Sequence, residues 1–184
     1  MKHLEIERLK KELSIKAKNG VDFILAASII WIGITFIWTL SNSAYNKSIF
    51  TFIVGGPLLP LAYIFSKVFK TQWKIKENPI QPLGLWLNFA QLFYFPFLIL
   101  ILIKSPEYFV TTYAIITGAH LFPYAWFYNE KSYAIIAGII SIGALLIQLN
   151  TSPSTIYYVP LFTAVMLLIL AISIYKSYLK KNRS

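Results

Sequence analysis

Apolar residues dominate six long stretches of the chain, and short polar segments separate these stretches from one another. They cover residues 21–40, 48–66, 84–103, 108–127, 132–149 and 156–175. A helix that crosses a bilayer needs about 20 predominantly apolar residues, so each stretch predicts one transmembrane span. Because the connections are too short for a soluble domain, we expect an all-α, polytopic membrane protein whose six-helix transmembrane bundle covers residues 20–176.

A different pattern precedes the first span, over residues 1–19. Its apolar residues recur at helical spacing and share one face of a helix: Ile6, Leu9, Leu13 and Ala17. Lys, Arg and Glu surround this stripe, which predicts a cytoplasmic amphipathic helix. The helix either lies on the inner leaflet of the membrane or docks against a protein partner, and burial of the stripe at the bilayer surface favours the first alternative.

Composition and charge support this picture and add an orientation. Only 13% of the residues are charged, about half the fraction that is usual in soluble domains. The net charge is +10, and with a cytoplasmic N-terminus every Lys and Arg except Lys47 and Lys104 falls on the cytoplasmic side. This asymmetry predicts a multi-pass membrane protein with both termini cytoplasmic, including a basic tail over residues 177–184. We expect anionic lipid head groups, and no nucleic acid, as the partner of this charge.

The second span carries the sequence GGPLLP near its centre, beginning with Gly55, Gly56 and Pro57. Proline lacks a backbone N–H and pushes against the preceding turn, so the carbonyl groups of Ile53 and Gly56 should lose their usual partners. In hydrocarbon such groups must find other donors. The motif therefore predicts either a discontinuous helix that binds a ligand near the membrane midplane or a kink at which helices pack closely.

Polar residues form matching faces on the third and fourth spans. Asn88 and Gln91 share a face of the third span, and the fourth carries a polar stripe of four residues: Tyr113, Thr117, His120 and Tyr124. The two spans must run antiparallel, because only a tight turn joins them. Counted at about 1.5 Å per residue, Gln91 and His120 lie at similar depth, and so do Asn88 and Tyr124.

His120 is the only ionisable residue deep within a span, which makes it a candidate functional residue. Its ring can remain neutral but still needs hydrogen bonds at that depth. One alternative is a structural histidine that bonds to Gln91, Asn88 or Tyr124, or to a carbonyl group freed in the second span. The other is a ligand or proton site lined by the polar faces. Three aromatic residues are expected to form its walls: Tyr94, Phe122 and Trp126.

Three further features receive structural interpretations. Asn19 and Asp22, three residues apart at the start of the first span, match a capping box. Trp73, among lysines in the longest connection, suits a position at the membrane interface. In the fifth span small residues recur four apart and predict a close-packing seam: Ala134 with Gly138, and Ala137 with Ser141.

The sequence offers little for catalysis or metal binding. It contains no cysteine, which excludes disulfides, thiolate ligands and cysteine nucleophiles. No second histidine stands at coordination spacing from His120, the spans hold no paired carboxylates, and their serines have no visible base. We therefore expect no metal and no cofactor, and an intramembrane enzyme ranks last among the functions considered.

The segments GGPLLPLAYIFSK, LNFAQLFYFPFLI and GAHLFPYAWFY resemble an uncharacterised family of small bacterial six-helix integral membrane proteins. This resemblance implies a plasma-membrane protein and carries no activity. The size and six-span layout are also similar to the substrate-binding components of energy-coupling vitamin transporters, as an analogy of fold. Those components dock through small residues on their first helix, and Ala26, Ala27 and Gly33 are compatible with such docking.

The favoured function is the binding or transport of a small apolar or aromatic molecule in a cavity between spans 2, 3 and 4. In this hypothesis His120 and Gln91 orient the ligand by hydrogen bonds. Asn88 and Tyr124 assist them, and the break over residues 55–57 exposes backbone carbonyl groups. The alternative is a non-transporting interaction or regulatory subunit that acts through helix faces and the N-terminal helix, with a protein partner or a second copy of itself.

Overall fold

A computed structural model describes residues 2–183 of the chain, with side chains described from Leu4 to Arg183. Met1 and Ser184, which end the predicted N-terminal helix and basic tail, lie outside the described residues. Every regular element in the described part is a helix. The α-helices are, in chain order, α1 (Lys2–Lys16), α2 (Val21–Thr39), α3 (Ala44–Gly55), α4 (Leu58–Phe69), α5 (Gln81–Leu92), α6 (Phe95–Lys104), α7 (Phe109–Leu121), α8 (Tyr124–Phe127), α9 (Ser132–Asn150) and α10 (Tyr158–Lys181).

Helical segments with the length and composition of a membrane crossing correspond to five of the predicted spans: Lys18–Thr39, Ala44–Phe69, Gln81–Lys104, Ser132–Asn150 and Tyr158–Lys181. The all-helical fold class is thereby confirmed. The predicted span 108–127 is divided into α7 and α8, because Pro123 interrupts the helix after Leu121. Neither piece alone has the length of a crossing, so the count of six spans stays a prediction.

The core of the bundle lies along α2 and α10, which pack extensively against each other. Ile34 of α2 and Leu167 and Ile174 of α10 have no exposed surface, and the large ring of Trp31 is only 2% exposed. Both helices are apolar on almost every side, which is typical of helices surrounded by other helices or by lipid.

A second closely packed pair consists of α7 and α9. A Cβ atom on Gly118 of α7 would lie 2.6 Å from Ser141 Oγ and 3.0 Å from the carbonyl oxygen of Ala137. Ala137 and Ser141 therefore do belong to a close-packing seam, whose glycine lies on the partner helix. Gly138 faces open space instead, so its predicted place in the seam is wrong.

Breaks with proline at or beside them interrupt the second, third and fourth predicted spans. The breaks separate α3 from α4, α5 from α6 and α7 from α8, and the prolines are Pro57, Pro96 and Pro123. At the first break, Gly56 N–H donates to the carbonyl oxygen of Ile53 at 3.2 Å in a tightened turn. The Ile53 carbonyl has therefore lost its usual partner, as predicted, and a neighbouring backbone N–H takes that place.

The N-terminal helix α1 packs against the rest of the chain. Leu13 is 1% exposed and Ser14 has no exposed surface. Asn78 Nδ2, in the connection between α4 and α5, donates to the Leu9 carbonyl oxygen at 3.0 Å and to Glu12 Oε2 at 2.8 Å. The C-terminal part of the stripe, around Leu13, is therefore buried against the protein's own bundle, whereas both predicted alternatives assigned the stripe to lipid or to a separate partner; Ile6 at its other end stays exposed.

Candidate functional site

A cavity of about 510 Å³ lies among α2, α5 and α7, beside the break between α3 and α4. This volume falls within the range of about 300–1,000 Å³ that is typical of small-molecule sites. Residues of α2 form one wall, so the cavity involves the first predicted span as well as the second, third and fourth. The end nearest α1 is bordered by the connection 70–80.

Six of the ten predicted site residues line this cavity: Gly55, Asn88, Gln91, Thr117, His120 and Tyr124. Gly56 and Pro57 lie in the break just beyond Gly55 and are not part of the wall. Three of the predicted aromatic residues face outward, with exposures of 51%, 61% and 50%: Tyr94, Phe122 and Trp126. Helix breaks immediately precede or include these aromatic positions, so straight-helix spacing does not describe where their rings lie.

Asn88 and Tyr124 connect the third and fourth predicted spans. Tyr124 Oη donates to Asn88 Oδ1 at 3.0 Å, and Asn88 Nδ2 donates to the carbonyl oxygen of Gly84 at 3.1 Å. Tyr124 is buried, whereas Asn88 is exposed at the side of the cavity. Of the two residue pairs predicted at matching depth, this is the pair that the structure joins by a hydrogen bond.

His120 and Gln91 also line the cavity, but neither side chain forms a hydrogen bond with any described residue. The His120 ring instead lies edge-on to the Tyr124 ring, with centroids 5.4 Å apart. The hydrogen bond between the two spans is therefore made by Tyr124 and Asn88, and the predicted structural role of His120 as a hydrogen-bonded link is wrong. Its ring nitrogens and the Gln91 amide are available to a ligand.

Aromatic residues outside the predicted set form much of the remaining wall. The rings of Trp31 and Tyr113 lie 5.2 Å apart, and a Cβ atom on Gly55 would be 3.5 Å from Tyr113 Oη. Tyr128 stacks on Tyr124 with centroids 6.1 Å apart. Tyr113 was detectable because it belongs to the polar stripe, whereas Trp31 gave no signal among the many aromatic residues of the spans.

At the end of the cavity nearest α1, hydrogen bonds join α2 to the connection 70–80. Thr71 Oγ1 and Trp73 Nε1 each donate to Asp22 Oδ2 at 2.6 Å, and the backbone N–H of Phe23 donates to Oδ1 at 3.1 Å. The Trp73 ring stacks on Phe23 with centroids 4.8 Å apart. Asp22 is only 1% exposed, so its carboxylate depends on these three donors rather than on water.

The capping box predicted from Asn19 and Asp22 is not formed. Gly20 occupies the N-cap position of α2, and Asn19 adopts a left-handed backbone conformation with a φ of 55°. The Asn19 amide donates to the carbonyl oxygen of Ile174 at 2.8 Å. Asn19 therefore ties the start of α2 to α10, and Asp22 holds the connection 70–80 in place.

A polar cluster joins α9 and α10 outside the spans, around Glu130. Its carboxylate accepts from Ser177 and Ser132, and Lys181 Nζ lies 3.4 Å from Oε2. Burial alone would raise the pKa of Glu130, but the hydrogen bonds from both serines and the charge of Lys181 outweigh it and hold the pKa below its ordinary value. Glu130 is therefore a charged anchor for the end of α10.

The predicted residues that line the cavity supply groups that can hold and orient a ligand, among them the His120 imidazole, the amides of Asn88 and Gln91 and the Tyr124 hydroxyl. Among the described residues, no group of three His, Asp or Glu side chains is placed to bind a metal ion. The neutral hydrogen-bonding groups lie beside aromatic walls, which is the usual composition of a small-molecule site.

A family model described as "Family of unknown function (DUF7010)" matches residues 6–177. No curated protein and no solved structure matches the chain. The predicted resemblance to an uncharacterised family is confirmed at that level. The bacterial source and the analogy to vitamin transporters stay predictions.

Proposed function

Because the chain belongs to the family of unknown function DUF7010, we propose its function from the geometry of the cavity. The protein is an integral membrane protein that binds or moves a small, largely apolar or aromatic molecule. The ligand sits among α2, α5 and α7, beside the break at Gly55. His120 and Gln91 orient it, and the aromatic walls contact its apolar surface.

The observation that carries this proposal is the pair His120 and Gln91. Both side chains face the cavity, and neither has a hydrogen-bond partner within the described chain. Polar groups at membrane depth are costly unless they are satisfied. Tyr124 and Asn88 satisfy each other at 3.0 Å beside them, whereas the His120 ring and the Gln91 amide remain available to a ligand in the cavity.

We also propose that the chain crosses a bacterial plasma membrane six times, with both termini in the cytoplasm. Lys181 Nζ at the end of α10 lies 3.0 Å from Ser14 Oγ in α1, so both ends of the bundle are on the same side. An even number of crossings is required for that arrangement. The five long segments together with α7 and α8 supply six, and the positive-inside rule favours the cytoplasm for the basic ends.

The alternative of an interaction or regulatory subunit is favoured by one observation. Leu4 and Ile6 of α1 are 75% and 42% exposed and lie on the part of that helix outside the bundle contact. A protein partner or a second copy of the chain would cover them. The area is small, because the bundle already covers Leu13 and Ser14 on the same helix, so ligand binding remains the preferred proposal.

Native mass spectrometry of gently extracted protein tests ligand binding, with His120→Ala compared with the wild type. Phe122→Ala is the matched control, since it removes a ring two residues away that is 61% exposed. We expect a discrete small-molecule mass on the wild type and the control, and its loss from a folded His120→Ala protein. Only bulk lipid and detergent on all three proteins would contradict the proposal.

A further inference from the structure

The cavity has an open side at membrane depth, between α4 and α5. The second and third predicted spans meet through their other halves, α3 and α6, since the Phe52 and Phe95 rings lie 6.0 Å apart. Beyond the breaks near Pro57 and Pro96, α4 and α5 do not pack extensively against each other. Leu85 lines the cavity and is also 56% exposed, so it stands at the rim of this opening.

The third span is otherwise poorly covered by protein. Only 6% of the most apolar stretch of Gln81–Lys104 is buried, compared with 56% of the corresponding stretch of Lys18–Thr39. In a bilayer the outer surface of α5 therefore contacts lipid. The opening beside α5 consequently connects the cavity with the hydrocarbon layer.

The connection 70–80 borders the end of the cavity that faces the basic side of the bundle, and polar contacts hold this connection in place. Asp22 holds Thr71 and Trp73, as described above, and the backbone N–H of Gln72 donates to the carbonyl oxygen of Lys16 at 3.0 Å. The connection 70–80 is thus fastened both to α2 and to α1. A ligand that arrived from the aqueous side would pass this connection, where Gln72, Trp73 and Lys74 line the cavity and are exposed.

Charged side chains in the cavity wall are confined to the end that the connection 70–80 borders. Among the described residues that line the cavity, only Asp22 and Lys74 carry charge. Asp22 accepts three hydrogen bonds, and Lys74 is exposed. The polar groups next to the open side are the neutral side chains of Asn88, Gln91 and His120, which offer both donors and acceptors to an uncharged head group.

We propose that the ligand is an uncharged, lipid-soluble amphiphile with a hydrogen-bonding ring at its head, and that it enters sideways from the bilayer between α4 and α5. This inference rests on the proposed ligand-binding function. The head lies against His120 and Gln91, and the apolar tail passes Leu85 into the hydrocarbon layer. A tail that stays in the hydrocarbon layer remains shielded from water, so the cavity need enclose only the head.

The test uses the full chain in vesicles of phosphatidylcholine and phosphatidylglycerol, with para-hydroxybenzophenone carrying an octyl tail as a photoreactive probe. Light attaches the probe to nearby residues, which are then mapped by peptide mass spectrometry. Leu85→Trp narrows the side opening. Leu92→Trp is its control, because Leu92 is 52% exposed on the same helix and does not line the cavity.

Because the chain has no cysteine, an introduced disulfide can lock the connection 70–80 to α2 or to α1. Asp22→Cys with Thr71→Cys joins two side chains that now touch, and Lys16→Cys with Gln72→Cys provides a second lock if the first does not fold. Each locked protein is compared with its own reduced form. This comparison keeps the substitutions constant and changes only the disulfide bond.

We expect the probe to label cavity residues equally in the locked, reduced, wild-type and Leu92→Trp proteins, and about ten-fold less in Leu85→Trp, the effect of losing about 1.4 kcal/mol. Labelling that is lost on locking but kept in Leu85→Trp would overturn sideways entry. Absence of cavity labelling in every protein would overturn the ligand class. In either case a small molecule retained in native mass spectrometry would leave the proposed function standing, and its absence there would end both.

Discussion

Tyr124 is the residue at which the sequence pattern and the observed contacts agree most closely. Its depth matched that of Asn88 on the antiparallel neighbour, and its hydroxyl donates to Asn88 Oδ1 at 3.0 Å. Depth follows from counting residues along two helices of known rise. Whether two side chains at one depth also meet depends on the rotation of each helix, which the counting does not determine. His120 and Gln91 met the same depth criterion, yet they share no hydrogen bond.

We expect Tyr124→Phe to destabilise the bundle modestly. Interhelical hydrogen bonds in membrane proteins contribute about 0.6 kcal/mol on average and up to about 1.7 kcal/mol, so the free energy of unfolding should fall by about 1 kcal/mol. Denaturant unfolding in detergent micelles, followed by tryptophan fluorescence, measures this change.

Tyr94→Phe provides the control for that substitution. Tyr94 is 51% exposed and does not line the cavity, so the same loss of a hydroxyl group should leave stability unchanged. Equal destabilisation by both substitutions would contradict a specific role for the bond between Tyr124 and Asn88.

At the scale of helices, the breaks could be predicted from proline but their consequences could not. Pro57 removes a backbone donor, and the helix does end at Gly55. The Ile53 carbonyl accepts from Gly56 N–H in place of its usual partner, and residue identity alone does not specify which donor takes that place. The position of the connection 70–80 depends on hydrogen bonds to Asp22, which comes from a distant part of the sequence.

The packing of α7 against α9 gives a prediction with a control in the partner helix. Gly118→Ala places a Cβ atom 2.6 Å from Ser141 Oγ and 3.0 Å from the Ala137 carbonyl oxygen, and one of these atoms is backbone. The helices must move apart, which should lower the free energy of unfolding by about 1–3 kcal/mol. Unfolding in detergent micelles is the measurement.

Gly138→Ala is the matched substitution on α9. A Cβ atom there meets nothing within 4 Å, and alanine is favoured over glycine in a helix by up to about 1 kcal/mol. Stability should therefore stay the same or rise. A loss of stability in Gly138→Ala, with Gly118→Ala neutral, would show that the predicted seam on α9 is correct after all and that the observed one is not.

At the scale of the whole molecule, the sequence identified the apolar segments because hydrocarbon imposes length and composition on each of them separately. It did not reveal how the polar ends fold over the bundle. The contacts of Asn78 with α1 and of Lys181 with Ser14 join residues 66 or more positions apart. No local periodicity encodes such pairs. The position of the connection 70–80 at one end of the cavity, and the exposed side beside α5, therefore became visible only in three dimensions.

The number of crossings decides whether these polar ends lie in the cytoplasm together, and single cysteines can determine it. The chain has none of its own, and Lys131 and Ser154 are both exposed, on either side of α9. With six crossings, a membrane-impermeant maleimide added to intact cells should label Ser154→Cys at once and Lys131→Cys only after permeabilisation. Asn42→Cys and Lys76→Cys, on either side of α3 and α4, calibrate the two responses.

If α7 and α8 do not cross, this pattern reverses, because every segment after residue 105 then changes sides. Lys131→Cys would be labelled from outside and Ser154→Cys would be protected. The contact between Ser14 and Lys181 at 3.0 Å argues against that outcome, since it would place the two ends of the bundle on opposite sides of the membrane. The same result would also change how α7 and α8 lie in the membrane, and both supply residues to the cavity, so the labelling pattern bears on the environment of the ligand site.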